Sequence, residues 1–339
     1  MPDSVMFIKK IISWCGNFSL IVALFFTMSC APAAKELPSS TSQKTHSVFK
    51  SRHAQKSYLK AYDLALKGLW GVPYDEKDLK TNFGNAHVII SGPSNAPPLV
   101  LLHGMNASST MWYPNVKDFS KTYRVYCIDF ILEPGKSFSN GKIESTDDIA
   151  KWYDEVFDRL KINNFGIVGA SRGGWLALHL KLHARHHITE IALLSPAQTF
   201  TWIKPKRQVL ANIFFTMFPR RPRLRKVMQT LTFNVDQISQ RYYNQYFIAV
   251  AKTKTKTNKS LLAMKPFSDE ELKSLKIPVL VLIGDHDIIN NKDGLQKAKD
   301  LIPNVQAEII KEASHFLSFD RPELVDKKVL DFLGKDKAD

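Results

Sequence analysis

Cysteine is scarce, with three among 339 residues, and no two are placed to join. Cys15 lies in an apolar leader, Cys30 follows it, and Cys127 falls in a predicted buried strand, so a fold resting on disulfides is excluded. Long apolar runs are also missing. Ile11–Met28 is broken by Ser13, Cys15, Gly16 and Asn17, and its unbroken part, Leu20–Phe26, is nearer a signal-peptide core than the ~20 residues of a membrane span. No internal repeat is found. Acid is nearly absent from one stretch, Thr201 to Lys265, where fourteen Lys or Arg stand against Asp236 alone. What is present suffices for a core, because 44% of the residues are hydrophobic and 11% aromatic, enough for a globular domain without crosslinks or metal.

Lys9 and Lys10 ahead of the apolar stretch give it the layout of an export signal. It ends in Thr27-Met28-Ser29-Cys30-Ala31, which resembles the bacterial lipoprotein cleavage box, with Thr27 where that box usually has Leu. The resemblance implies lipid on Cys30 and an exported, membrane-tethered protein of a bacterial cell envelope. A plain signal cleaved after Ala31 or Ala33, or an uncleaved anchor from Ile11, are the alternatives. Residues 31–45, rich in Ala, Pro, Ser and Thr, read as a flexible tether. A helical segment is expected over 46–78, because Val48, Tyr58, Leu59, Tyr62, Leu66 and Leu69 fall near helical spacing before Gly71 and Pro73.

From residue 79 to 339 strands and helices alternate. Strands are predicted at Leu79–Phe83, His87–Ser91, Pro98–Leu102, Arg124–Asp129, Phe165–Gly169, Ile188–Leu194, Pro278–Gly284 and Val305–Ile310, and helices at Ser109–Phe119, Thr146–Leu160, Arg172–Ala184, Lys292–Leu301 and Pro322–Phe332. Short apolar strands separated by helices predict an α/β fold with a mostly parallel, doubly wound sheet whose first strands are antiparallel. The rhythm stops once. Residues 198–274 lack clear strands and read as a helical cap inserted after the sixth strand.

Chemistry is carried by four short pieces. Gly169-Ala170-Ser171-Arg172-Gly173 follows one predicted strand and opens a helix, the context of a nucleophile elbow, where a turn too tight for side chains beside the serine lifts Ser171 above the sheet. The Arg172 N–H then lies in the first turn of a helix whose dipole favours negative charge. His103-Gly104-Met105 follows the third strand, where an elbow needs a second oxyanion donor, and Met105 N–H is at the expected place. Gly284-Asp285-His286-Asp287 ends the seventh strand, and Ala313-Ser314-His315-Phe316 follows the eighth. A serine hydroxyl needs a base and that base needs a carboxylate, supplied here by His315 and by Asp285 or Asp287. All lie at carboxyl ends of strands, where open sheets place their sites.

The order Ser, Asp, His resembles that of the α/β-hydrolase superfamily. Within it, Ser109-Thr110-Met111-Trp112-Tyr113-Pro114-Asn115, Leu194-Ser195-Pro196-Ala197 and Ala313-Ser314-His315 are similar to phrases of the Bacillus-type carboxylesterases. The resemblance implies an α/β-hydrolase fold and an esterase with Ser171 as nucleophile, Asp287 as acid, His315 as base, and Met105 and Arg172 as oxyanion donors, acting on a small-molecule ester without a cofactor. Thioester hydrolysis or acyl transfer on the same fold is the alternative activity, and a non-catalytic surface binding protein is the reading from another class. The loop Asp129–Ser137 keeps only Asp129, Gly135 and Ser137 of the family's Asp, Gly, Gly, Ser pattern.

Two other patterns invite chemistry. His179, His183, His186 and His187 crowd one helix end but have no carboxylate or cysteine among them, so a solvated basic helix end is expected and no metal. The cap interleaves its basic residues with Trp202, Phe214, Phe215, Phe218, Phe233, Tyr242, Tyr243, Tyr246 and Phe247. Such a mixture builds a lid pocket, a surface for anionic membranes or, least in keeping, a nucleic-acid site; no nucleic acid is expected.

Overall fold

Ser51 caps the first helix, its Oγ accepting from Ala54 N–H at 3.1 Å, and apolar residues three and four apart carry it onward. In the computed structural model, which describes residues 48–254 and 259–334, this helix, α1, spans Arg52–Leu69 and buries Tyr58, Ala61, Tyr62, Ala65 and Leu66 along one face. The expected leader, the lipidation site Cys30 and the tether 31–45 lie outside the described residues. The helix ends before Gly71 and Pro73, as its apolar spacing predicts, short of the end of the segment expected at 46–78. From Tyr74 the chain forms strand β1 (Tyr74–Thr81), paired antiparallel with β2 (Gly84–Ser91), so the boundary placed at residue 79 falls inside a strand. β1 is largely exposed and carries no apolar alternation; its conformation comes from the ladder with β2.

Strands β3 (Pro98–Leu102), β4 (Arg124–Ile128), the two-residue β5 (Phe138–Ser139), β6 (Asn164–Ala170), β7 (His187–Leu194), β8 (Val279–Gly284) and β9 (Val305–Ile310) complete the sheet. Between them run α2 (Val116–Thr122), α3 (Thr146–Leu160), α4 (Arg172–His183), the cap helices α5 (Arg207–Met217), α6 (Arg221–Leu231), α7 (Gln240–Lys252), α8 (Lys259–Leu262) and α9 (Asp269–Ser274), then α10 (Lys292–Leu301), α11 (Leu317–Asp320) and α12 (Pro322–Leu333). The sheet order is β1-β2-β4-β3-β6-β7-β8-β9, with β5 on β2. Pairing is parallel from β4 through β9 and antiparallel at β1, β2 and β5. The cap follows β7, which is the sixth strand when the short β5 is set aside. One expected helix divides: Ser109–Trp112 is a 3₁₀ turn and α2 starts at Val116, because Pro114 lacks an N–H and restricts the residue before it.

The alternating strand residues feed two cores. Leu99 and Leu101 face Tyr58, Trp112, Leu224, Met228 and Val329 under α1, the cap and α12. Val100 and Leu102 face Trp152, Tyr153, Phe157, Leu176 and Leu180 under α3 and α4, as the two-residue period of a strand requires. Each fully buried side chain of this size contributes about 1.5–3 kcal/mol. Ser145 and Asp148 form a capping box at the start of α3, and its buried positions 149, 152, 153, 156 and 157 follow the helical repeat.

α1 is bound to the cap as well as to the sheet. Gln245 Nε2 on α7 donates to the Tyr58 hydroxyl at 3.1 Å and to Ser108 Oγ at 3.0 Å, while Gln245 Oε1 accepts from Thr110 Oγ1 at 3.0 Å. All of these groups are buried. Beyond α7, Lys50 N–H donates to Lys252 O and Lys254 N–H to Val48 O at 2.9 and 2.8 Å, an edge pairing that anchors both segments.

The sheet order reverses beside β3: the chain moves to β4 on one side and then to β6 on the other. Such a switch opens a crevice at the carboxyl ends of the two strands. His103-Gly104 and Ser171 stand there.

Candidate active site

Ser171 joins β6 to α4 at φ 53°, ψ −115°, a conformation that an L-residue adopts only when its surroundings impose it. Here they do. Ser171 N–H donates to Leu194 O at 2.9 Å, and Ser171 O accepts from Gly174 N–H and Ala197 N–H at 3.0 and 3.1 Å. A Cβ at Gly169 would come within 2.3 Å of Gly173 O, and one at Gly173 within 2.0 Å of Leu102 O. The turn therefore closes only with glycine at both positions.

The Ser171 hydroxyl is 2.9 Å from His315 Nε2, and His315 Nδ1 lies 3.2 and 3.1 Å from the two carboxylate oxygens of Asp287. With Nδ1–H donating to the carboxylate, Nε2 is left as an acceptor for the serine proton. Asp287 is buried and also accepts from Ile289 N–H, Asn290 N–H and Asn290 Nδ2 at 2.7, 3.1 and 2.9 Å. Burial pushes its carboxyl up, but His315 and the Asn290 donors outweigh that and hold it at about 2, ionised at neutral pH. Asp285, its rival from the same strand end, is turned elsewhere: it accepts from His286 Nδ1 at 2.7 Å and Ala313 N–H at 3.2 Å, and its side chain is 32% exposed.

The loop that presents His315 is fastened to the cap. Ser314 Oγ donates to His286 O at 3.1 Å and lies 3.4 Å from Thr230 O, Ser314 N–H donates to Asp320 Oδ2 at 2.8 Å, and Phe316 N–H donates to Leu231 O at 2.8 Å. The end of α6 thus sets the position of the imidazole.

On the other side of Ser171 runs the loop after β3. A Cβ at Gly104 would sit 3.2 Å from Ser171 Cβ and 3.8 Å from Oγ, so the backbone ahead of Met105 passes directly beside the hydroxyl. Met105 itself points outward, 48% exposed, leaving its N–H as the group of interest. Arg172 is the first residue of α4, so its N–H has no intrahelical acceptor. His103 is buried and holds this loop. Its Nε2 accepts from Phe130 N–H at 2.8 Å and Nδ1 meets Gly104 O at 2.9 Å, the neutral tautomer that burial favours by lowering its pKa.

A residue not singled out in the sequence ties the loop after β3 to the start of α4. Glu133, buried, accepts Asn106 N–H at 2.9 Å on Oε2 and pairs with the Arg172 guanidinium on Oε1. Burial lowers Arg172 to about 10, so it stays cationic at neutral pH. Asn106 has φ 57°, and the Glu133 bond holds it there. The signal in the sequence is an acid inside an apolar loop, Phe130-Ile131-Leu132-Glu133-Pro134. The three residues that this loop shares with the resembled family knit its base: Asp129 accepts Ser109 N–H and Lys136 N–H, both at 2.8 Å, Ser137 Oγ donates to Asp129 O at 2.6 Å, and Gly135 packs against the Asp129 carboxylate.

The histidine cluster differs from expectation at two of its four members: His183 and His187 are exposed, His179 and His186 are not. His179 is buried, stacked on Trp175 and bonded to Thr146 O at 2.9 Å, and burial lowers it to about 4. His186 is buried between Asp154 at 2.7 Å and Asp158 at 3.1 Å. The acids come from α3, some thirty residues away, which is why the helix end read as solvated. No cluster suited to a metal occurs among the described residues. An open cleft of about 700 Å³ lined by Tyr113, Phe233, Glu312 and Arg321 contains none of Ser171, His315 or Asp287 and lies behind the His315 loop.

Residues 97–223 match the family model described as the alpha/beta hydrolase fold. The chain is 33% identical over 302 residues to the uncharacterized carboxylesterase nap of Bacillus subtilis, covering 82% of this chain and 92% of that one. Carboxylesterase YbfK of the same organism is 32% identical over 292 residues, covering 81% and 93%. The crystal structure of naproxen esterase from Bacillus subtilis superimposes with a TM-score of 0.77 at 32% identity, over 84% of this chain and 99% of that one.

Proposed function

Because the chain belongs to the α/β-hydrolase family, among its carboxylesterases, we propose that it hydrolyses a carboxylic ester through an acyl-enzyme formed on Ser171. The single observation that supports this most is the continuous chain from Ser171 Oγ through His315 to Asp287. His315 Nε2 takes the hydroxyl proton as Oγ attacks the ester carbonyl carbon, and the carbonyl oxygen, now negative, accepts from the N–H groups of Met105 and Arg172. The intermediate collapses as His315 returns the proton to the departing alcohol. Water then loses a proton to the same nitrogen, attacks the acyl carbon and frees the acid and Ser171. Asp287 keeps the imidazole in the Nδ1–H tautomer and stabilises its cation throughout.

Hydrolysis of aryl esters graded by acyl length, run beside matching thioesters, tests the activity. Turnover of the esters with kcat/KM above that of every thioester is the expected result; the reverse ranking replaces the esterase with a thioesterase.

Glu133 is assigned as a positioning residue for the oxyanion donors. Glu133→Gln weakens its hold on Asn106 and leaves the partly buried Arg172 without a counter-ion. The expected effect is a kcat roughly tenfold lower, below the ~10²–10³ of removing a donor outright, with KM changed less than twofold and labelling by a fluorophosphonate slowed in step. A fall in melting temperature with kcat unchanged would limit Glu133 to a structural role.

A further inference from the structure

α5 has two apolar faces. Val209 and Phe215 are buried inward, while Leu210, Ile213, Phe214 and Met217, spaced three and four apart, lie outward with 44–50% of their surfaces exposed. Trp202 before the helix and Phe218 after it are more exposed still. A helix that is apolar on both faces is normally covered on both, and a contiguous exposed apolar patch marks an interaction site. Around this stripe the charge is of one sign. Lys206 and Arg207 begin the helix and Arg220, Arg223 and Lys226 follow it, none with an acid partner among the described residues, whereas Lys204 pairs with Asp293 and Arg225 with Asp236. Arg223 lies over the Phe214 ring at 5.1 Å, so apolar and cationic groups share one surface.

We propose that this stripe docks the cap onto the surface of an anionic phospholipid bilayer. Charge complementarity selects that occupant. Apolar side chains enter the boundary between head groups and acyl chains while the flanking Lys and Arg meet lipid phosphates, the pattern of an interfacial helix. A second copy of this chain would bring two basic rims together in a two-fold contact, at a cost. The helix lies on the bilayer and does not cross it; no helix among the described residues is long and apolar enough to span a membrane. The contact reaches the site through two steps, since Asn212 Nδ2 on α5 donates to Thr230 Oγ1 on α6 at 2.9 Å, and the next residue, Leu231, holds the His315 loop by accepting Phe316 N–H at 2.8 Å. Docking is independent of the esterase reading.

Trp202 reports on it. Trp70, Trp112, Trp152 and Trp175 are buried, so in the full chain carrying Trp14→Phe, Trp202 is the tryptophan able to meet lipid. Its emission is measured against vesicles of brominated phosphatidylcholine with and without phosphatidylglycerol. The expected result is quenching and a blue shift with the anionic vesicles, at least about threefold weaker with neutral ones, and reversed at 1 M salt, where the Debye length falls to about 3 Å. Leu210→Glu with Phe214→Glu and Met217→Glu abolishes the quenching while turnover of a short soluble ester stays within about twofold of the parent, as surface changes away from the chemistry should. Quenching that survives the three substitutions, or equal quenching by neutral vesicles, overturns the proposal. So does an absence of quenching together with a dimer that the same substitutions dissociate, which would assign the stripe to a second copy.

Discussion

Ser171→Ala is expected to lower kcat for ester hydrolysis by about 10⁵–10⁶, with KM little changed, because members of a serine triad act as a unit and loss of the nucleophile costs nearly all of what the unit supplies. The activity expected to remain, from binding and from the oxyanion donors proposed at Met105 and Arg172, exceeds the reaction in water by about 10³–10⁴. Steady-state turnover of the purified variant and its labelling by a fluorophosphonate measure the effect together. Turnover within tenfold of the parent would remove Ser171 from the reaction and with it the acyl-enzyme.

Asp287→Asn is expected to follow closely, at about 10⁴ in kcat, since an amide in this position favours the tautomer with the proton on Nε2 and takes the acceptor away from the serine. Asp285→Asn, in contrast, should stay within a few-fold of the parent, because its carboxylate serves His286 and Ala313 at the surface. Kinetics of the two variants side by side give the ranking, and the opposite order would transfer the role to Asp285. The same carboxylate bears on stability. Its folded pKa of about 2 lies below the usual carboxyl range, so Asp287 contributes stability that is complete above that range and lost as pH falls toward 2. The asparagine variant lacks this acid-side dependence.

Much of the framework was legible because it rests on local patterns. α3 begins and ends where its capping serine and apolar repeat place it, and α4 follows its strand with only a tight turn between. Ser171, Asp287 and His315 come from three distant loops, yet each is marked by its place after a strand. What stayed illegible depends on contacts between distant segments. β1 reads as Tyr-Asp-Glu-Lys-Asp-Leu-Lys-Thr, with no apolar face, and is a strand because β2 supplies its hydrogen bonds. Glu133 shows only a buried acid in an apolar loop; its partners, Asn106 and Arg172, lie 27 and 39 positions away in the chain. The stripe on α5 is visible as composition, but which of its aromatic and aliphatic residues face out is decided by packing on α6.

The way the cap is fastened implies an order in which its parts come loose. α7 shares a buried network with Tyr58 and Ser108 and an edge pairing with residues 48–50, so freeing it means breaking the first helix away from the sheet, an event close to global unfolding. α5 buries only Val209 and Phe215 and is hydrogen-bonded to α6 by Asn212 Nδ2, which donates to Thr230 Oγ1. Its amide protons belong to a low-energy opening that leaves α7 and the sheet intact. Of these two helices α5 is held by fewer buried contacts, and it carries the outward apolar stripe, so whatever settles on that stripe ties down the one with more freedom to lose.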